Sequence, residues 1–270
     1  MIIFTDVDGT VISYGSVIPP DSEYVAFKKA RENGHKIFFV TGRTLGHLED
    51  PIASLGYDGI IGGNGGFIKI GDQYIFEKTM SADDCEAIVN YLYAHNMEFF
   101  VESVEGIHGS RDFKRVGAEA LKKYGHKSPV IMELYPYMDF PTEWHIPRVT
   151  KINYVLNSYQ DYLDVKAAFP NFKCLTWGGQ GEAVLFGDIA TEGIDKSVAI
   201  KKTLDYLGVD KSETIGFGDA EVDIPLFKAC GTSVCVGNGR EAARAAADYV
   251  TDAVEDDGIY NAFKHFGLID

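Results

Sequence analysis

Four short clusters of residues carry side chains suited to phosphate and cation chemistry. Asp6 and Asp8, one residue apart, are followed by Gly9 and Thr10. Two carboxylates at the end of a strand, with Gly and Thr behind them, suit a cation and a phosphate. Thr41, Gly42 and Arg43 follow an apolar run, where a hydroxyl and the N–H groups of a helix start can hold phosphate oxygens. Lys196 stands at the head of a later helical pattern. Asp219 and Asp223, four apart after Gly218, offer two more acids to a cation. Each cluster alone also has an ordinary explanation. Asp-Gly is a frequent turn pair. Thr-Gly is common at strand-to-helix turns, a lone Lys is mostly a solvated surface residue, and paired acids cap helices.

The elements around these clusters decide between the two explanations. Residues 2–5 read as a strand ending at Asp6, and residues 36–40 form a continuous apolar run of the kind buried on both faces of a parallel sheet. Between them Pro19-Pro20-Asp21-Ser22 reads as a helix start, capped by Asp21 or Ser22, with the helix ending at Asn33-Gly34. Residues 44–55 read as a second helix, and 59–61 as a third strand before Gly62-Gly63-Asn64-Gly65-Gly66. The alternation predicts a doubly wound α/β core with a parallel, Rossmann-like sheet. In such sheets ligands bind outside the carboxyl ends of the strands.

From residue 82 to 188 the pattern changes to α+β, with helices predicted over 82–94, 112–124 and 159–169. Strands are expected at 99–103 and 150–156, and a hairpin at 172–177 and 183–186 around Gly178-Gly179-Gln180-Gly181. The α/β pattern returns afterwards: Asp195 caps a helix over 196–207, a strand over 214–217 ends at Gly218-Asp219, and a helix, a strand and an Ala-rich helix follow. The organisation expected is a discontinuous core of residues 1–81 and 189–270, interrupted by an inserted cap domain of residues 82–188.

Taken in order, the four clusters resemble the four motifs of the haloacid dehalogenase-like hydrolases. The insertion is similar to the large α/β cap of the Cof-type sugar-phosphate phosphatases, and Asn64-Gly65 and the stretch Ala247-Asp248 to Asp257-Gly258 also resemble that subgroup. The resemblance implies a Mg²⁺-dependent phosphatase acting on a small phosphorylated metabolite. It implies Asp6 as nucleophile, forming an aspartyl-phosphate, and Asp8 as general acid and then base, its main-chain carbonyl also on the metal. It assigns Lys196 to charge neutralisation and Thr41, Gly42 and Arg43 to the transferring phosphoryl group. Asn64 is expected to touch substrate, Asp6, Asp8 and Asp219 to hold Mg²⁺, and Asp223 to orient Lys196 or metal-bound water from behind. Neighbouring carboxylates are expected to raise the proton affinity of Asp8. The sequence departs from the family pattern at Val222, where an Asn is usual, and a weaker metal site follows as an expectation. A phosphomutase on the same scaffold, or a phosphate-ligand sensor with little turnover, are the alternative readings.

Composition narrows the setting. Forty acidic against 25 basic residues give a net charge of −15, which opposes broad contact with nucleic acid or an anionic membrane. No stretch approaches the roughly 18 apolar residues of a membrane span. The N-terminus lacks a secretory signal pattern, and the four cysteines, Cys85, Cys174, Cys230 and Cys235, form no Cys-x-x-Cys pair. A cytoplasmic protein with reduced core cysteines is the expectation. The histidines show no metal spacing. Tyr135, Tyr137, Phe140 and Trp144 read as core or domain contact, and Glu182 as a speculative substrate contact.

Overall fold

The computed structural model describes residues 1–48, 50–123, 129–177, 181 and 183–270. The first part of the chain forms β1 (Ile2–Thr5), α1 (Asp21–Glu32), β2 (Lys36–Val40), α2 (Asp50–Ala53), β3 (Gly59–Gly62), β4 (Phe67–Ile70) and β5 (Gln73–Glu77). The middle forms α3 (Ala82–Ala94), β6 (Phe99–Ser103), β7 (Ile107–Gly109), α4 (Phe113–Lys123), α5 (Ile131–Leu134), β8 (Val149–Val155), α6 (Tyr159–Ala168), β9 (Phe172–Thr176) and β10 (Phe186–Thr191). The last part forms α7 (Lys196–Leu207), β11 (Thr214–Gly218), α8 (Ile224–Ala229), β12 (Thr232–Cys235), α9 (Glu241–Ala246), β13 (Tyr249–Val250) and α10 (Gly258–His265). Two compact units result. One comprises 1–43, 48–77 and 194–270, the other 44–47 and 78–193.

The first unit is built on an eight-stranded sheet of order β13-β12-β11-β1-β2-β3-β4-β5. Its strands from β13 to β3 run parallel. The central strands β1 and β11 are buried at every residue, which requires apolar or small side chains on both faces, as in Ile2-Ile3-Phe4 and Ile215-Gly216-Phe217. On one face Phe4 and Phe38 join Ile200 and Leu204 of α7 and Leu226 and Phe227 of α8. On the other, Phe27 of α1 and Phe263 of α10 stack at 5.9 Å and meet Phe39 and Phe217. Helices on both faces make the sheet doubly wound.

Three local expectations need correction in the first part of the chain. β4 and β5 extend the sheet antiparallel to β3; the turn at Gly71 makes a hairpin that needs no crossover helix. The helix expected over 44–55 is a 3₁₀ turn at Leu45–His47 followed by the single turn of α2, because Pro51 lacks the N–H a continuing helix would use. α1 has Pro20 at its cap position and no side-chain cap. Asp21 and Glu23 instead place negative charge in its first turn, and the Ser22 hydroxyl donates to Asp257 at 2.6 Å.

The inserted unit carries a five-stranded antiparallel sheet of order β7-β6-β8-β10-β9. Cys85, Ile88, Val89 and Leu92 of α3 and Val165 of α6 pack with Phe99, Val101, Ile152 and Ile189 on one face. Phe113, Ala120 and Leu121 of α4 and Ile131 of α5 cluster with Phe100 and Phe186. Trp144 belongs to the first cluster, and Tyr135 and Phe140 pack against the second, whereas Tyr137, expected with them, is 66% exposed. Ser81 caps α3, accepting the N–H of Asp84 at 3.0 Å. The strand expected at 183–186 begins only at Phe186 and runs to Thr191, paired with β9. Residues 178–180 of the glycine-rich turn, and Glu182, lie outside the described residues.

Candidate active site

The order β11-β1-β2-β3 of parallel strands brings the ends of four strands to one edge of the sheet. Asp219, Asp6, Thr41 and the Gly63–Gly65 turn with Asn64 follow those strands directly. Residues some 200 positions apart in sequence therefore become neighbours, as the fold class requires.

Asp6 is anchored by its N–H to the carbonyl of Phe217 at 3.0 Å. Behind it the chain makes a tight turn in which the N–H groups of Thr10, Val11 and Ile12 all point to the carbonyl of Val7. Gly9 has φ +85°, and a Cβ there would sit 2.5 Å from Asp219 Oδ2 and 2.6 Å from the Tyr14 ring. Only glycine supplies that conformation and that close approach together.

Lys196 opens α7, whose cap Asp195 accepts the N–H of Val198 at 2.9 Å. Its ammonium, 2% exposed, lies 2.6 Å from Asp6 Oδ1 and 2.6 Å from Asp223 Oδ1. Asp223 uses its other oxygen to accept the N–H groups of Asp219 and Ala220, each at 3.0 Å. One buried carboxylate thus orients both the lysine and the Gly218–Ala220 turn. Burial works against charge on Lys196, but Asp223 and Asp6 outweigh it and raise its pKa. Burial pushes the Asp6 carboxyl well above the usual range; Lys196 opposes this, and Asp223 and Asp8 add to it.

Asp219 is 1% exposed. It accepts the Thr10 hydroxyl on Oδ1 at 3.0 Å and the Tyr14 hydroxyl on Oδ2 at 2.8 Å. Burial raises its pKa to about 6 against the opposing hydrogen bond from Tyr14, with Asp223 adding repulsion. Oxygens of Asp6, Asp219 and Asp223 come within 4.8 Å of one another. This all-oxygen donor set of crowded, buried carboxylates fits a hard divalent cation, which would relieve their repulsion. Asp223 accepts three donors, the Lys196 ammonium and the N–H groups of Asp219 and Ala220, and Asp219 only two hydroxyls, so Asp6 and Asp219 keep more acceptor sites for the ion.

Arg43, expected on phosphate, contacts Asp8. Its guanidinium, 7% exposed, grips Asp8 through Nε to Oδ2 at 2.9 Å and Nη2 to Oδ1 at 2.7 Å. Thr41 is fully buried, and its hydroxyl accepts the N–H of Arg43 at 3.1 Å. Asn64 adopts φ 54°, donates its N–H to the carbonyl of Thr41 at 2.9 Å, and lies beside Gly42. Val222, 50% exposed, contributes no polar group to Asp219.

Two residues at this site were not anticipated. Tyr14 shows no sequence signal, because its partner lies 205 positions away. Asn238 sits in Gly237-Asn238-Gly239 just beyond β12, the same Gly-Asn-Gly sequence as the anticipated one at Asn64. Its amide donates to the Gly9 carbonyl at 2.8 Å and accepts the N–H of Val254 at 3.0 Å, bracing the turn behind Asp6.

Comparison with known proteins settles the family. The family profile described as haloacid dehalogenase-like hydrolase matches residues 3–263. The chain belongs to that family. It is 26% identical over 272 residues to YkrA of Bacillus subtilis strain 168, a protein provisionally named a phosphatase, covering 99% of this chain and 98% of that one. Among solved structures it resembles BT4131, described as a sugar phosphatase of subclass IIB of the family, with a TM-score of 0.76 and 25% identity over 99% of both chains. BT1666 of Bacteroides thetaiotaomicron, studied among phosphatases of the family, aligns with a TM-score of 0.77 and 27% identity over 99% of this chain and 95% of that one. The hydrolase family read from the four motifs is the family found. Among the described residues no helix is long and apolar enough to cross a membrane, and all four cysteines are buried and free.

Proposed function

We propose that this protein is a Mg²⁺-dependent phosphatase that hydrolyses a small phosphorylated metabolite, with a sugar phosphate the favoured class. The observation that carries this reading is the buried Lys196 ammonium shared between Asp6 and Asp223 beside Asp219. A lysine held there is poised to offset negative charge on an attacking carboxylate and an incoming phosphate. The similarity to BT4131 supports the sugar-phosphate class.

In this reading the Asp6 carboxylate attacks phosphorus, forming an oxygen–phosphorus bond as the bond to the substrate's alcohol oxygen breaks. Asp8 gives its proton to that leaving oxygen. Asp8 then takes a proton from water, whose oxygen attacks the phosphorylated Asp6, releasing inorganic phosphate and restoring the carboxylate. Thr41, Gly42 and Asn64 hold the phosphoryl group and adjoining substrate, with Arg43 shared between that task and Asp8. Asp6 and Asp219, with the main-chain carbonyl of Asp8, would hold Mg²⁺. The ion would lower the repulsion between carboxylate and phosphate and stabilise charge in the transition state. The inserted unit is read as the cap that selects the substrate, and the buried free cysteines suit a reducing, cytoplasmic setting.

The test is release of inorganic phosphate from a panel of sugar phosphates, pentitol phosphates, nucleotides and p-nitrophenyl phosphate, with Mg²⁺ and with chelator. Metal-dependent release, abolished in a folded Asp6→Asn variant, is the expected result. Normal turnover by that variant would refute the covalent route. A phosphorylated isomer without free phosphate would mean a mutase, and no product from any substrate would mean a phosphate-binding protein.

A further inference from the structure

We infer that Tyr14 is a positioning residue for the metal-binding carboxylate of Asp219, an inference that rests on the divalent-metal reading above. The tyrosine leaves the Asp6–Thr10 turn and folds back over it. Its ring edge lies 2.6 Å from where a Gly9 Cβ would be, and its hydroxyl reaches Asp219 Oδ2 at 2.8 Å. The residue is 61% exposed overall, so packing around the ring is not what holds it there. The hydroxyl is the atom with a defined partner.

Asp219 meets two side-chain hydroxyls, one on each oxygen: Thr10 on Oδ1 and Tyr14 on Oδ2. An ionised carboxylate has about four lone-pair sites on its two oxygens. Two hydroxyl donors therefore fix the plane and rotation of the group and still leave acceptor sites for a cation. A free carboxylate would have to surrender its rotational freedom on binding the ion; this one has lost it beforehand. The half-exposed Val222 offers no third donor. The phenol is a donor here rather than a ligand, since its hydroxyl donates to Asp219 Oδ2.

The experiment compares wild type and Tyr14→Phe, which keeps the ring and removes the hydroxyl. Mn²⁺ is titrated into each protein without substrate, and free ion is read by electron paramagnetic resonance. Circular dichroism and thermal midpoints in chelator verify that both are folded. Wild type is expected to bind Mn²⁺, and Tyr14→Phe to bind roughly tenfold more weakly, as is usual when an outer partner of a metal ligand is lost. In phosphate-release assays the Mg²⁺ concentration for half activation rises by the same factor, while kcat at saturating Mg²⁺ stays within about twofold of wild type. Unchanged Mn²⁺ affinity in the folded Phe variant overturns the inference, as does a loss of kcat that saturating Mg²⁺ does not restore. Absence of Mn²⁺ binding in the wild type itself overturns both this inference and the metal reading, and is told apart because the parent protein fails.

Discussion

Arg43 holds both carboxylate oxygens of Asp8, at 2.7 and 2.9 Å, in a two-point contact that a lysine cannot reproduce. The proton-transfer group of the proposed reaction is thereby fixed in place by the residue two positions beyond Thr41.

This pairing predicts a dependence on the leaving group. Arg43→Lys is expected to lower kcat/KM for an alkyl phosphate by at least about tenfold, because a misplaced acid matters most when the departing oxygen needs a proton. For p-nitrophenyl phosphate, whose leaving group departs unprotonated, the loss should be several times smaller. Equal losses on both substrates would show that Arg43 acts on the phosphoryl group alone.

Lys196→Met removes the cation between two buried carboxylates. Leaving a buried charge unpaired costs about 3–5 kcal/mol, so urea denaturation should show a loss of that size. Adding Asp223→Asn removes one of the orphaned charges and is expected to return part of the stability. Turnover should fall by about 100-fold or more, as for loss of a transition-state donor. A Lys196→Met protein as stable as wild type would contradict the buried ion-pair geometry.

The metal-free protein should gain stability on acidification. The Asp219 carboxyl, ordinarily near 3.8, is raised to about 6 by burial, so the folded state holds its proton more tightly than the unfolded chain does. Stability is then greatest below the ordinary value and is lost as pH rises from about 4 to about 6. Two units correspond to about 3 kcal/mol. The thermal midpoint in chelator should therefore be higher at pH 5 than at pH 7. With saturating Mg²⁺ the difference should shrink or reverse, because bound metal favours the deprotonated carboxylate. Identical pH profiles with and without Mg²⁺ would separate Asp219 from metal binding.

Gly9→Ala places a methyl group on top of Asp219 Oδ2 and the Tyr14 ring, in a backbone conformation with φ +85°. Strain alone costs on the order of 1–2 kcal/mol, and the displaced Asp219 should weaken Mn²⁺ binding by more than about tenfold. Thermal unfolding and metal titration check the two effects separately.

Much of this site was legible because its chemistry sits at the ends of buried strands. The runs at 2–5, 36–40 and 214–217 have no polar interruption, and each stops at a Thr or Asp that a core strand would not otherwise present. Asp195 and Ser81 announced their helices because a cap satisfies N–H groups only three residues away. The hairpin β4–β5 was not legible, since Phe67–Ile70 and Gln73–Glu77 are short and half buried and show little alternation. The start of β10 at Phe186 was also missed, because it is set by its pairing to β8 and β9 across the sheet.

The sequence by itself determined which residue types follow the strands, Asp6, Asp8, Thr41 and Asp219, and which stand at helix heads, Lys196 and Asp223, in an order that specifies the family. Local chemistry suffices for that, because buried runs, turns and caps act over a few residues. Only the tertiary structure decided the partners. Arg43 on Asp8, Tyr14 on Asp219 and Asn238 on Gly9 are set by which strands lie side by side, whereas the contact of Lys196 with Asp223 is one the family resemblance already implied. A hydrogen bond spanning up to 229 positions leaves no periodicity in the chain; it exists because the parallel sheet brings both ends to one edge.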